Sequence, residues 1–303
     1  MQFFKSPNIA FIRVRRKAIA VSAVLILTGL VFTFVRGGYN SSIDFAGGTL
    51  VEVKLAKPVP LGEIRRIITD AGFSGAEVTN FGSPDEILIK VKGVGQASEA
   101  ARKIEDALND AIRDQKVEMR RTETVGPKIG SELKTAAFWA IIYSLAGIVV
   151  YISWRFEFRF AVGAILALIH DVLITLGFFS VTNREISLPV IAAILTIVGY
   201  SLNDTIVVFD RIRENLRMRK RENFDAVVNA SINETLSRTI ITSMTTLFVV
   251  MCLAVLGGEI IRDFALTLLV GVTVGTYSSI FVASPLLVEW QAFKSKKVKK
   301  KKK

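Results

Sequence analysis

Six stretches of the chain are almost unbroken apolar sequence, at 18–35, 136–154, 160–181, 188–209, 239–256 and 264–287. A helix needs about 20 residues, each rising about 1.5 Å, to cross about 30 Å of hydrocarbon, so each run is near or above the length of one span. A soluble chain with so many apolar helices would have too little polar sequence to cover them. Between 36 and 134 the texture changes. Residues 49–55 alternate as a strand does, 61–71 have helical spacing, 76–81 and 87–91 read as strands, 97–112 as an amphipathic helix and 117–125 as a last strand. Turn chemistry falls at Gly72-Phe73-Ser74-Gly75 and Gly82-Ser83-Pro84-Asp85, and Gly93-Val94-Gly95 marks the turn into the second helix. The order βαββαβ predicts a ferredoxin-like α+β sandwich.

The predicted fold is therefore a polytopic α-helical membrane protein of six transmembrane helices, with one ferredoxin-like domain inserted between helices 1 and 2. Its divisions are 1–35, an N-terminal arm and the first helix; 36–134, the βαββαβ domain; 135–287, the other five helices; and 288–303, a basic tail. Within the bundle, 210–238 is charged and amphipathic, and Phe224, Val227, Val228, Ile232 and Leu236 recur at helical intervals. Their face rests either on the membrane surface or on the bundle, or the segment is a solvated loop helix. Residues 294–303 are low in complexity and predict disorder.

Composition agrees, with 51% hydrophobic residues and a mean hydropathy of +0.44. The net charge of +12 changes the picture through its placement. Lys and Arg crowd the N-terminal arm, the connection holding Arg155 and Arg159, the stretch from Arg211 to Arg221 and the Lys-rich tail, whereas the opposite short loops offer little beyond Arg184 and Arg262. This asymmetry predicts cytoplasmic termini and an extracytoplasmic domain. It also assigns the charge to orientation and anionic lipid contact, at about 1 kcal/mol per basic residue, and not to nucleic acid. Arg13, Arg15, Arg16 and Lys17 precede the first run as in a secretory signal, but the run ends Phe32-Thr33-Phe34-Val35-Arg36, without small residues for cleavage, and reads as an uncleaved helix.

Catalytic templates are scarce. One cysteine, Cys252, and one histidine, His170, provide neither an intrachain disulfide nor a Cys/His metal cluster. No phosphate-cradling glycine loop occurs. The chain reads as one with no catalytic residue, metal or cofactor. What remains is a set of ionisable groups within apolar spans. Asp204 lies in Gly199-Tyr200-Ser201-Leu202-Asn203-Asp204-Thr205, where a carboxylate costs about 2.5–3.5 kcal/mol on insertion scales and must face the bundle interior. Burial favours its neutral form and a nearby cation its charged form, which leaves it poised as a proton relay or as a structural hydrogen-bond acceptor. Arg238, just before the fifth span, is its expected partner, or else it snorkels to the headgroups. Asn203, Ser201, Thr242, Ser243, Thr245 and Thr246 flank the pair as supporting groups or as helix-packing residues. His170 and Asp171 join the polar centre or make a packing hydrogen bond.

Three segments carry a resemblance: Ile43-Asp44-Phe45-Ala46-Gly47-Gly48-Thr49, Val125-Gly126-Pro127, and Gly199 to Thr205 running on to Asp210-Arg211-Ile212-Arg213-Glu214-Asn215. With the layout of one span, an outer domain and five more spans, nearly the whole chain resembles SecF, the partner of SecD in the bacterial Sec translocon, within the resistance-nodulation-division superfamily. The resemblance implies an inner-membrane subunit that uses the proton motive force with SecD to promote preprotein export. It implies association with SecYEG, YajC and YidC, and proton passage at Asp204 and Arg238. Asp44, Gly47 and Gly48 then form a periplasmic mouth motif with a structural role. Protons are the expected coupling ion, with sodium left open. A small-molecule or lipid exporter of the same superfamily and a non-transporting scaffold are the alternatives.

Overall fold

A computed structural model describes residues 7–93, 97–113, 115–155 and 157–301. A 3-10 turn, Ile12–Val14, leads into α1, Arg15–Val35; a short α2, Ile43–Ala46, precedes the outer domain. That domain contains β1 Gly48–Leu55, α3 Leu61–Asp70, β2 Glu77–Phe81, β3 Ser83–Lys92, α4 Ala97–Ala111 and β4 Val117–Val125. The bundle continues with α5 Pro127–Arg155, α6 Phe158–Thr182, α7 Leu188–Met218, α8 Phe224–Leu256 and α9 Gly258–Ser278, then a π-helical stretch, Ser279–Ala283, and α10 Ser284–Lys301. Six helices are long and apolar enough to cross a membrane, the last formed by α9, the π stretch and part of α10 together.

The outer sheet is antiparallel with the strand order β2-β3-β1-β4, as the βαββαβ reading requires. Val51 and Val53 of β1 stand opposite Ile89 and Ile87 of β3. These residues pack with Ile64 and Ile68 of α3 and with Ile104 and Leu108 of α4. Period-2 alternation on the strands and one apolar stripe on each helix therefore meet in one core. The expected turn at Gly93-Val94-Gly95 extends beyond the described residues, which stop at Gly93 and resume at Ala97.

Segment 210–238 is not a separate surface helix. It is the end of α7 and the beginning of α8, and Val228, Ile232 and Leu236 lie in the bundle core, with Phe224 packed against it. A short turn joins the two helices. Glu234 pins it, accepting from Arg211 Nε at 2.5 Å, Asn215 Nδ2 at 2.7 Å and Arg219 Nη2 at 2.8 Å. The tail also departs from the sequence reading, because the backbone stays helical to Lys301 where disorder was expected.

Helices α6 and α7 are well buried, whereas α5 buries only Gly130 and Ile152 and turns its apolar side outward. Two close approaches set the packing. A Cβ added at Gly29 of α1 would stand 2.5 Å from the Cα of Gly177 in α6, and one at Gly275 of α9 would stand 2.9 Å from the Cβ of Ser201 in α7. Small residues let membrane helices gain dispersion and hydrogen bonds at short range, in the absence of a hydrophobic drive between them. Before α1, the Asn233 side-chain amide clasps the backbone of Ile9 at 2.9 Å through both its oxygen and its nitrogen, which seats Phe11 and Ile12 in the core.

Candidate functional site

The membrane-embedded polar groups form two linked centres. On α7, Ser201, Asp204 and Thr205 share the buried face with Val198 and Val208, because residues three and four apart align on a helix. Asp204 is 4% exposed, and its Oδ2 accepts from Ser243 Oγ of α8 at 3.3 Å. Ser243 lies 2.7 Å from the Thr276 hydroxyl of α9, and Thr276 also reaches its own helix at the carbonyl of Val272, 2.7 Å away. Three helices are thus joined through one acid and two hydroxyls.

The second centre is Asp171 of α6, 1% exposed. Its Oδ2 accepts from Ser201 Oγ at 2.5 Å and from Ser278 Oγ at 2.8 Å, while Oδ1 lies 2.8 Å from Nδ1 of His170. His170 Nε2 is 2.9 Å from Ser22 Oγ of α1. For an ionised Asp171, Nδ1–H donates to the carboxylate, and Nε2 faces the Ser22 hydroxyl, which donates to Tyr277 Oη at 3.3 Å. The imidazole stacks on Tyr277, with centroids 6.2 Å apart, and the Tyr277 hydroxyl donates to the carbonyl of Ala18 at 2.9 Å. Four helices, α1, α6, α7 and α9, converge on this group.

The structure sorts the sequence candidates. Ser243 supports Asp204, but Ser201 serves Asp171 instead. Asn203 is exposed, since a step of about 100° per residue turns it away from its neighbour's buried face. Thr242 and Thr245 are exposed and return their hydroxyls to carbonyls of α8 itself; Thr246 donates to Thr242 O and accepts from Tyr200 of α7 at 3.2 Å. Arg238 is exposed at the cytoplasmic third of α8 in the predicted orientation. Among the described residues no direct ion pair joins it to Asp204, whose side-chain hydrogen bond is to Ser243. Thr239, on the buried face beside it, has a hydroxyl with no hydrogen-bond partner among the described residues. Ser22, Thr276, Tyr277 and Ser278 were not singled out from the sequence; hydroxyls scattered along apolar runs become a site only when the crossings align them.

Asp44, Gly47 and Gly48 belong to a joint at the outer end of the bundle. Asp44 Oδ2 accepts from the amide of Leu188 at 3.0 Å and so caps the first turn of α7. Gly47 and Gly48 have φ of 75° and 156°, and a Cβ on Gly47 would stand 3.1 Å from the Cα of Pro127, which starts α5. The turn between α6 and α7 meets the segment before α2 as a one-residue parallel bridge, Ser41 with Ile186. Glu185 in that turn is 7% exposed and receives Lys92 Nζ at 2.5 Å and Lys90 Nζ at 3.1 Å from β3. Lys90 also meets Glu77 of β2 at 3.3 Å.

Burial by itself would favour a neutral Glu185, yet the Lys92 hydrogen bond and the Lys90 charge together hold its carboxyl below the ordinary glutamate range. Glu77 is pushed up, by burial first and then by the negative charge of Glu185, against the pull of Lys90. The signs decide what acid does. The stabilisation from Glu185 is complete above the ordinary value of about 4.3 and is lost only as pH falls through its lower folded value. Glu77 prefers its proton in the folded chain, so it protonates first and with no loss of stability. Acidification from neutral to about pH 5 should therefore leave the Lys92–Glu185 pair closed. Hydrogen exchange at the Ile186 amide would check this, with accelerated exchange by pH 5 as the contrary result.

Residues 103–293 match the family described as protein export membrane protein SecD/SecF, C-terminal. The chain is 49% identical over 297 residues to protein translocase subunit SecF of Desulfurispirillum indicum, covering 96% of this chain and 93% of that one. The chain belongs to the SecF family. The SecF of Vibrio alginolyticus is 49% identical over 286 residues, covering 93% of this chain and 90% of its own. The crystal structure of SecDF, a translocon-associated membrane protein from Thermus thermophilus, superposes with a TM-score of 0.83 at 41% identity. That match takes in 94% of this chain and 39% of the SecDF chain, so this SecF-family chain spans about two fifths of that structure. A second SecDF crystal structure, in a super-membrane-facing form, gives a TM-score of 0.76 at 39% identity. The resemblance drawn from the three sequence segments is confirmed, and with it the six-helix fold carrying one α+β domain.

Proposed function

We propose that this SecF-family chain couples proton passage through its bundle to preprotein export across the bacterial inner membrane, acting with SecD and in association with SecYEG, YajC and YidC. In this reading both termini are cytoplasmic, the βαββαβ domain is periplasmic, and the basic cytoplasmic segments contact anionic lipids.

The observation that carries the proposal is the buried Asp204, hydrogen-bonded across α7, α8 and α9 through Ser243 and Thr276. An ionised Asp204 accepts from Ser243 and attracts Arg238. Once protonated, it is a donor and the attraction to Arg238 is lost. Ser243 and Thr276 are hydroxyls that rotate to donate or accept, so the hydrogen-bond direction through all three groups can reverse. Ser201, one turn away on the same face of α7, carries any shift of α7 to Asp171. One charge crossing the membrane potential releases about 2.3 kcal/mol per 100 mV, enough to change a two-state population about fiftyfold when fully coupled. The same carboxylate and hydroxyls are chemically suited to sodium, so the coupling ion is chosen by experiment.

Asp204→Asn and Arg238→Met are expected to abolish the part of export stimulated by an imposed pH gradient while leaving the chain inserted and folded. Normal gradient-stimulated export in Asp204→Asn would exclude the relay. Stimulation by a sodium gradient alone would reassign the ion.

A further inference from the structure

We propose that Glu185 is a positioning residue that fastens the outer domain to α7, so that the domain and α7 move as one body. The inference rests on the proposed export role only for its consequence; the joint itself is tested independently of it.

Chain order gives the domain two covalent routes into the bundle, one towards α1 and one towards α5. Towards α1 it runs through Gly37 and Gly38, both at positive φ with nothing within 4 Å of an added Cβ, and their amides bond back to the carbonyls of Phe34 and Thr33 of α1. Towards α5 only Gly126 separates β4 from the helix. The α6–α7 turn is far from the domain in sequence, yet it is held most completely. Glu185 receives two lysines of β3. Lys92 also donates to Asn40 Oδ1 at 2.8 Å, Asn40 donates to the carbonyl of Asn183 at 3.2 Å, and the amide of Ile186 donates to Asn40 O at 2.8 Å. Ser42 N donates back to Ile186 O at 3.0 Å, and Asp44 caps Leu188.

Among the described residues Glu185 is the one acid that pairs with both lysines; Glu77 meets Lys90 alone, and Arg184 beside it turns to Asp263 of α9 at 2.5 Å. A nearly buried carboxylate with two cationic donors is a strong tie, and losing one partner strands the other charges. From Leu188 to Asp204 the helix is continuous, a rod of about 24 Å. A shift at the acid therefore appears at the joint as a rigid displacement of the domain, and the domain does not swing on a hinge of its own.

The test uses the full chain in its native membrane assembly. Glu185→Lys sets three lysines together and is expected to accelerate amide exchange at Ser42, Ile186 and Leu188 by about tenfold or more. Gradient-stimulated export should fall with it, while gradient-independent export and the amount of inserted chain stay unchanged. The charge swap, Glu185→Lys with Lys92→Glu, should restore both exchange protection and gradient-stimulated export. Unaltered exchange in Glu185→Lys, or loosened amides with full gradient-stimulated export, overturns the proposal, as does a swap that restores neither. Asp204→Asn measured alongside separates the readings, because a dispensable Asp204 sinks the proton relay while exchange at the joint still reports on Glu185.

Discussion

Replacing Gly29 with valine is expected to pull α1 off α6 and lower the thermal midpoint of the detergent-solubilised chain by about 5 °C. The added Cβ alone would stand 2.5 Å from the Cα of Gly177. Backbone is there, and it has no rotamer with which to yield. Overpacking usually costs about 1–3 kcal/mol, and more when helices must separate. Ser22 lies on the same helix and holds Nε2 of His170, so the displacement also undoes one side of the Asp171 centre. Gly147→Ala is the control: nothing lies within 4 Å of a Cβ there, and the midpoint should hold or rise slightly. Equal midpoints for Gly29→Val and the parent would mean that α1 does not seat against α6.

Asp171→Ala is expected to destabilise the chain by about 3–5 kcal/mol, and Asp171→Asn by about 1–2 kcal/mol. Two opposing magnitudes bear on this. Single interhelical hydrogen bonds in membranes average only about 0.6 kcal/mol, because the separated helices find other partners. Asp171, however, receives three donors from three residues at 2.5–2.8 Å and is 1% exposed, so alanine strands three groups at once. Asparagine keeps one acceptor oxygen and should fall between. Unfolding in mixed micelles would rank the three; an alanine variant as stable as the parent would show that the cluster contributes no stability.

Much of this architecture is legible in the sequence, and the reasons are physical. The strand predicted at 117–125 is β4, Val117–Val125, although only its start alternates, with Val117 buried and Met119 half-buried before five exposed residues. β3 begins at Ser83, earlier than read, because Ser83-Pro84-Asp85-Glu86 carries turn chemistry yet still enters the strand. The apolar runs located the six helices but understated α7 and α8, whose charged ends continue past the hydrocarbon. Asp204, Ser243, His170 and Asp171 stood out as polar exceptions in apolar runs. Their pairing did not, since which hydroxyl meets which acid depends on crossing angles that one sequence leaves undetermined. The same holds for Gly29 with Gly177, and for Arg238, whose long side chain has room to turn outward. Glu185 and Lys92 meet only in the folded chain, because a loop charge and a strand charge so far apart in sequence leave no periodic signal.

The π-helical stretch at Ser279–Ala283 works as a phase shifter. One extra residue in a turn offsets the helix by about 100° relative to an uninterrupted α-helix. Before it, Thr276 meets Ser243 and Ser278 donates to Asp171; after it, Leu287 and Val288 lie in the apolar core. A single-residue deletion in the stretch would bring the two halves back into step and force a choice between them, either hydroxyls on their polar partners or leucine and valine in the core.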